Sequence, residues 1–348
     1  MNGNPSIDTQ KLAAYLQEQG VDVAGNLRTR LITGGRSNLT YELVDEAGRR
    51  HVLRMPPRSV DAAQSHDVAR EYSILRALGE SQVPVPPVEV LCLDTALLGA
   101  PFYVAEFIDG AVLTTPRDGA RLAPEARVAA SHSIVDALAL IHSVDVVQVD
   151  LGGLGRGAGY LERQLRRWSE RAAQPGALSG PSLLEVHEVL MTRVPETQRT
   201  CLVHGDFKFP NVIVDGTTGV VRAVLDWELA TVGDPLADLG NLLAMWPDPG
   251  ENALFDAPTV TGGFLTRAEV IDRYAQRAGL DVSAAEWYHA FALWKVACLL
   301  AGVVERYRGG AMAKDDFDPD AGAELVGKIA TAAGAVLAGH PISAPPEA

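Results

Sequence analysis

The sequence predicts an α+β protein of two lobes, a small β-rich one followed by a larger, mainly helical one. Three observations carry this expectation. Short β-branched runs cluster in the first third of the chain. Apolar residues recur at helical spacing over most of the remainder. The 348 residues suffice for two lobes and a sizeable core.

The first lobe opens on a short helix over residues 6 to 20, with Leu12, Tyr15 and Leu16 on one face. Strands are expected near 27–33, 39–45 and 50–55, and one helix over about 61–79. Val68, Ile74, Leu75 and Leu78 supply that helix's apolar face. Pro84-Val85-Pro86-Pro87 punctuates the chain before two more strands near 88–93 and 101–107. The expected boundaries are 1–105 for this lobe, 106–110 for a hinge and 111–348 for the second lobe.

In the second lobe Pro124 sits where a helix begins, and Val128, Ile134, Val135, Leu138 and Ile141 form its stripe. His142 follows the stripe and reads as a structural hydrogen-bonding residue. Residues 160–174 carry Leu161, Leu165 and Trp168 at helical spacing. Arg163, Arg166, Arg167 and Arg171 beside them read as a solvated face; the sharper reading is a patch for an anionic substrate handle. Further helices are expected near 182–194, 236–245, 266–278, 283–307 and 320–338. The Pro- and Gly-rich stretch from Trp246 to Gly263 is either a substrate lid or a passive loop.

Apolar content of 47% and charged content of 21% describe a soluble globular chain. No run is read as long enough to cross a membrane, and no leader opens the chain. Cys92, Cys201 and Cys298 are odd in number and far apart. That argues against a disulfide framework or thiolate metal site and for a reducing, cytoplasmic setting. A net charge of −14 disfavours nucleic acid as a partner. The charge suits a cationic substrate or simple solubility.

The chemistry concentrates in His204-Gly205-Asp206-Phe207-Lys208-Phe209-Pro210-Asn211, followed by Leu225-Asp226-Trp227-Glu228. An Asp, a Lys two residues on, an Asn five residues on and a second Asp after a hairpin match the needs of phosphoryl transfer. Asp206 would take the proton of an acceptor hydroxyl. Asn211 and Asp226 offer the hard oxygen ligands that Mg²⁺ prefers, and Lys208 places positive charge beside Asp206. Cys201-Leu202-Val203 leads into the loop and Val212-Ile213-Val214 leads out. Asp215 to Gly219 turns, and Val220 to Leu225 returns as the strand delivering Asp226. Both metal ligands can then converge at one end of the hairpin.

With Gly233-Asp234-Pro235-Leu236-Ala237-Asp238-Leu239 added, the chain resembles the aminoglycoside phosphotransferase and choline kinase family of the protein-kinase-like superfamily. It most resembles a subgroup found alone in bacteria and fused, in some eukaryotic proteins, ahead of an acyl-CoA dehydrogenase domain. The likeness spans roughly residues 27 to 310.

It implies a bilobal kinase-like fold with ATP and Mg²⁺ as cofactors. The phosphate-covering turn falls in Leu31 to Leu43, with Gly34, Gly35, Ser37 and Asn38 as candidates. Arg54 stands where many relatives carry Lys, a planar fork in place of a point charge. Glu71 is its expected partner. Glu106, Phe107 and Ile108 would lie along the adenine edge. Asp234 and Asp238 are expected to brace the catalytic loop, Asp234 also as a helix cap, and His204 to orient it.

The expected reaction is transfer of the γ-phosphate of ATP to a small-molecule hydroxyl. Candidate acceptors are a hydroxyacyl-CoA or hydroxy acid, then an aminoglycoside or other amino alcohol. A catalytically silent nucleotide-binding regulatory module is the alternative, and the presence of all three acidic or amide positions argues against it. A protein kinase is disfavoured, since Asp226 to Pro235 leaves no room for an activation loop with an Ala-Pro-Glu ending.

Overall fold

The first sheet follows from alternation. Its strands are β1 (Arg28–Gly34), β2 (Leu39–Val44), β3 (Arg50–Met55), β4 (Val88–Cys92) and β5 (Phe102–Glu106), in the antiparallel order β1-β2-β3-β5-β4. Tyr41 pairs with Leu53 and Leu43 with His51. Tyr41, Leu43, Leu53 and Met55 thus share a buried face with Phe102 and Val104. On the other face Glu42 takes Arg30 and Arg50 at 2.8 and 2.7 Å. Helix α1 (Thr9–Glu18) is capped by Asp8 and lays Leu12 and Leu16 on the apolar face. Helix α2 (Ala62–Leu78) links β3 to β4, and the short α3 (Thr95–Leu98), capped by Asp94, links β4 to β5.

This computed structural model describes residues 7–34, 38–56, 62–173, 181–251, 253–310 and 317–339. The chain divides into two units, residues 1–110 with 222–228, and residues 111–221 with 229–348. Asp226 therefore belongs with the sheet unit and not with the stretch 111–348 that surrounds it in sequence.

The second unit is helical. It holds α4 (Pro116–Arg121), α5 (Pro124–Ser143), α6 (Tyr160–Ala172), α7 (Pro181–Thr192), α8 (Pro235–Ala244), α9 (Arg267–Ala278), α10 (Ala285–Arg308) and α11 (Pro319–Leu337). Short strands β6 (Cys201–Val203) and β9 (Thr231–Gly233) pair antiparallel, Leu202 opposite Val232. Strand β7 (Val212–Val214) follows the catalytic loop, and β8 (Val221–Val224) runs up to Leu225 and Asp226. The turn between them closes through the Asp215 N–H on the Val220 carbonyl at 2.8 Å.

Helix α10 is the core of this unit and packs against α6, α7, α8 and α11. A Cβ on Gly240 would lie 2.3 Å from the Tyr288 carbonyl oxygen, so α8 and α10 meet backbone to backbone.

Two expectations need correction here. Val128 is not part of the α5 stripe but 41% exposed. Ala130, Ile134, Leu138 and Ile141 set the buried line, and a residue two before Ala130 points roughly 200° away from it. Also, α10 is long and apolar enough to cross a membrane, with a mean hydropathy of 1.4 over its best window. Lys295 masks that run to the eye. The window is 67% buried inside the protein, the pattern of a core helix.

Candidate active site

The loop 204–211 is held from behind by one carboxylate. Asp238, buried on α8, accepts the His204 N–H at 2.6 Å and the Gly205 N–H at 2.8 Å. His142 Nε2 lies 3.3 Å from the same carboxylate, and its Nδ1 is 2.6 Å from the Tyr274 hydroxyl. Burial alone would raise the Asp238 pKa. The bond and charge of His142 and the donated N–H of His204 outweigh that and hold it below the usual carboxylate range. Asp234 caps α8 through the Leu236 N–H at 2.9 Å and receives the Tyr288 hydroxyl at 2.9 Å.

Gly205 is the turning point. Its φ is +85°, and a Cβ there would lie 2.7 Å from the Leu229 carbonyl oxygen. Asp206 then projects its carboxylate. Lys208 Nζ sits 2.9 and 2.8 Å from the two carboxylate oxygens. Asn211 Nδ2 donates to the Asp206 carbonyl at 2.8 Å and to Oδ2 at 3.1 Å. Both acceptors face one end of the amide, which identifies that end as nitrogen. The opposite end, Oδ1, makes no hydrogen bond among the described residues. His204 Nδ1 is 3.3 Å from the Asp206 N–H, so His204 orients the loop backbone. Asn241 holds the Phe207 carbonyl at 3.2 Å.

The sheet unit carries a second group. Arg54, on β3, places Nε 2.8 Å from Glu71 Oε2 and a terminal nitrogen 2.5 Å from Asp226 Oδ1. The Nε–H does not aim along the first of these lines, so that contact is an ion pair and not an aligned hydrogen bond. Tyr103 is buried as well, and burial with the nearby Glu71 charge holds its hydroxyl well above the usual pKa range. Burial pushes the Glu71 carboxyl up to about 7, with the Asp226 and Glu228 charges adding to it and Arg54 opposing it. Arg54 moves upward too: burial disfavours its charge, and the surrounding carboxylates more than compensate.

Asp226 has a φ of +66°, uncommon for a side-chain-bearing residue and tolerated best by Asp and Asn. The Val224 N–H on the Pro84 carbonyl, the Trp227 indole on the Val224 carbonyl and Arg70 on the Glu228 carbonyl fix the segment that imposes it.

The remaining expected positions divide. Gly34 ends β1, and Asn38 is buried just before β2. Gly35 and Ser37 lie outside the described residues. In the hinge stretch, the Glu106 N–H donates to the Pro87 carbonyl at 2.9 Å and the Phe107 N–H to the Arg50 carbonyl at 3.2 Å. The Arg50 guanidinium lies 3.6 Å over the Phe107 ring. Those two N–H groups are committed to the sheet unit, while the Ile108 N–H has no partner among the described residues.

The sequence profile of the Phosphotransferase enzyme family matches residues 28–288. The chain belongs to that family. Among curated proteins it is 32% identical over 307 residues to acyl-CoA dehydrogenase family member 10 of Mus musculus, covering 86% of this chain and 28% of that one. It spans less than half the length of the curated relatives it matches.

A solved structure of a candidate aminoglycoside phosphotransferase from Ralstonia eutropha superposes with a TM-score of 0.82 at 27% identity, covering 97% of this chain and 100% of that one. The streptomycin–ATP–APH(2")-IIa ternary complex superposes with a TM-score of 0.58 at 17% identity, covering 85% and 90%, a likeness of fold. The fold is protein-kinase-like, with a small antiparallel sheet lobe and a helical lobe.

Three of the four arginines of α6 have local partners. Arg163 bonds the Ala158 and Arg156 carbonyls, and Arg167 and Arg171 stack over Trp168 at 5.6 and 5.0 Å. The 246–263 stretch is anchored where Trp246 stacks on Phe209 at 5.0 Å and bonds the Leu265 carbonyl at 2.7 Å. Cys201 is buried in β6, and burial pushes its thiol up to about 12. One contact escaped sequence reading: Lys295 of α10 donates to the Gly205 carbonyl at 3.0 Å. Its signal was a single charge inside an apolar helix.

Proposed function

We propose that this phosphotransferase is an ATP- and Mg²⁺-dependent kinase that moves the γ-phosphate of ATP to a hydroxyl of a small molecule. The observation that carries the reading is the Asp206 carboxylate, held between Lys208 and Asn211 on a braced loop. Asp206 accepts the hydroxyl proton as the acceptor oxygen attacks the γ-phosphorus. The bond from that phosphorus to the bridging oxygen breaks, and ADP leaves with the electron pair. Lys208 and Arg54 counter phosphate charge, and Glu71 braces Arg54. Neighbours of the same fold were solved with ATP, ADP or GDP bound, which supports a purine nucleotide as the phosphate donor.

The donor set fits Mg²⁺. The Asn211 Oδ1 is a hard oxygen with no competing bond among the described residues, and Asp226 adds a carboxylate. Each is of the kind Mg²⁺ takes while completing its shell with water and phosphate oxygens. Bound there, it would neutralise phosphate charge.

The acceptor favoured is a hydroxylated acyl-CoA or related hydroxy acid, because the curated relatives are acyl-CoA dehydrogenase family members. Aminoglycosides and other amino alcohols come second, since the antibiotic-bound neighbour is similar in fold alone. A thermal-shift screen of metabolite hydroxyls with a non-hydrolysable nucleotide would find the acceptor. The Asp206→Ala variant is expected to lose turnover by about 10³-fold while binding ATP within roughly threefold of the parent. Full activity in that variant would sink the assignment. Nucleotide binding without turnover on any acceptor would favour the silent regulatory module.

A further inference from the structure

We propose that Lys295 is a positioning residue of the transfer site, fixing the peptide plane from which Asp206 projects. The inference rests on the phosphotransfer reading above.

Lys295 is the only charged residue in α10 between Glu286 and Glu305. Its flanks are Phe291, Leu293, Trp294 and Ala297, all buried. A core helix accepts an ammonium group there at a desolvation cost, and nothing in the packing of α10 requires one. No carboxylate lies within ion-pairing distance of it among the described residues. Its one hydrogen bond among the described residues goes to the Gly205 carbonyl at 3.0 Å, ninety positions away in sequence.

That carbonyl belongs to the peptide linking Gly205 to Asp206. The other end of the same peptide, the Asp206 N–H, meets only His204 Nδ1 among the described residues, at 3.3 Å. Gly205 itself is held by its N–H on Asp238 at 2.8 Å. Without Lys295 the plane pivots on one long bond next to a residue with no side chain to restrain it. A cavity of about 10 Å³, room for one water, opens beside the ammonium between Tyr160, Gln164, Asp238 and Asn241. The polar lining continues from the catalytic loop to α10. Burial lowers the Lys295 pKa, and the Asp206 and Asp238 carboxylates pull against that, so the ammonium also sets the local field.

The test uses the full chain with Mg·ATP as probe and water as acceptor, so no substrate need be known. Turnover, KM for Mg·ATP and the thermal midpoint are measured for the parent, K295M, K295R and D206N. K295M is expected to lose about 30- to 100-fold in kcat with KM within twofold and the midpoint little changed. K295R is expected to recover to within about fivefold.

K295M with kcat within threefold of the parent overturns the inference. So does a loss that appears equally in kcat and KM and that K295R does not recover, since that pattern is general damage. Parent-like turnover in D206N would overturn the phosphotransfer reading and this inference with it. An inactive D206N beside a fully active K295M would overturn this inference alone.

Discussion

Gly205 is the residue with the least room to change. Its positive φ and the 2.7 Å that would separate an added Cβ from the Leu229 carbonyl oxygen oppose any side chain. Gly205→Ala is expected to cost on the order of 1–3 kcal/mol in stability and to lower turnover, because the loop must shift to fit the methyl group. Scanning calorimetry and a turnover assay on the same preparation check both; an unchanged midpoint with unchanged rate would count against the strain described. The cluster of Asp206, Lys208 and Asn211 was legible in the sequence because all three fall within eight consecutive residues. Lys295 was not, because nothing local connects a helix residue to a carbonyl ninety positions earlier.

At the scale of elements, α10 carries a pH dependence. His289 is buried there, with Nε2 lacking a hydrogen-bond partner among the described residues. Burial, with a smaller push from Arg267, drops its pKa from 6.5 to about 3. Between those values the unfolded chain binds a proton that the folded chain refuses. Stability is therefore complete above about pH 6.5 and is lost as pH falls toward 3.

His289→Met is expected to flatten this slope by on the order of 3 kcal/mol between pH 7 and pH 4. Denaturant midpoints across that range test it, and parallel slopes for parent and variant would refute it. Strands and long helices were readable from periodicity to within a residue or two. The short α3, α4 and β9 were not, since three to six residues hold no period; caps and pairing partners define them instead.

For the whole molecule, chain order misleads at one place. Residues 222–228 cluster with residues 1–110, although over a hundred residues of helical unit precede them. Hydrophobic pattern marks β8 as a strand but does not say which unit its end joins. Bonds from Pro84 and Arg70 decide that. Asp226 thus acts with Arg54 and Glu71, and its removal is a test of ligand linkage. A non-hydrolysable Mg·nucleotide at a hundred times its Kd is expected to stabilise the parent by about 2.7 kcal/mol. Asp226→Ala is expected to abolish the difference between titrations with and without Mg²⁺ by calorimetry. A metal effect that survives in the variant would remove Asp226 from the ligand set.

The contact between Arg54 and Asp226 has a consequence for how the protein waits for its ligands. On the function proposed above, the guanidinium would be a resident counter-ion on the carboxylate oxygen that a divalent ion takes. Either ligand alone would have to evict a partner without replacing it. Together they would replace both, so metal and nucleotide are expected to load as a single package.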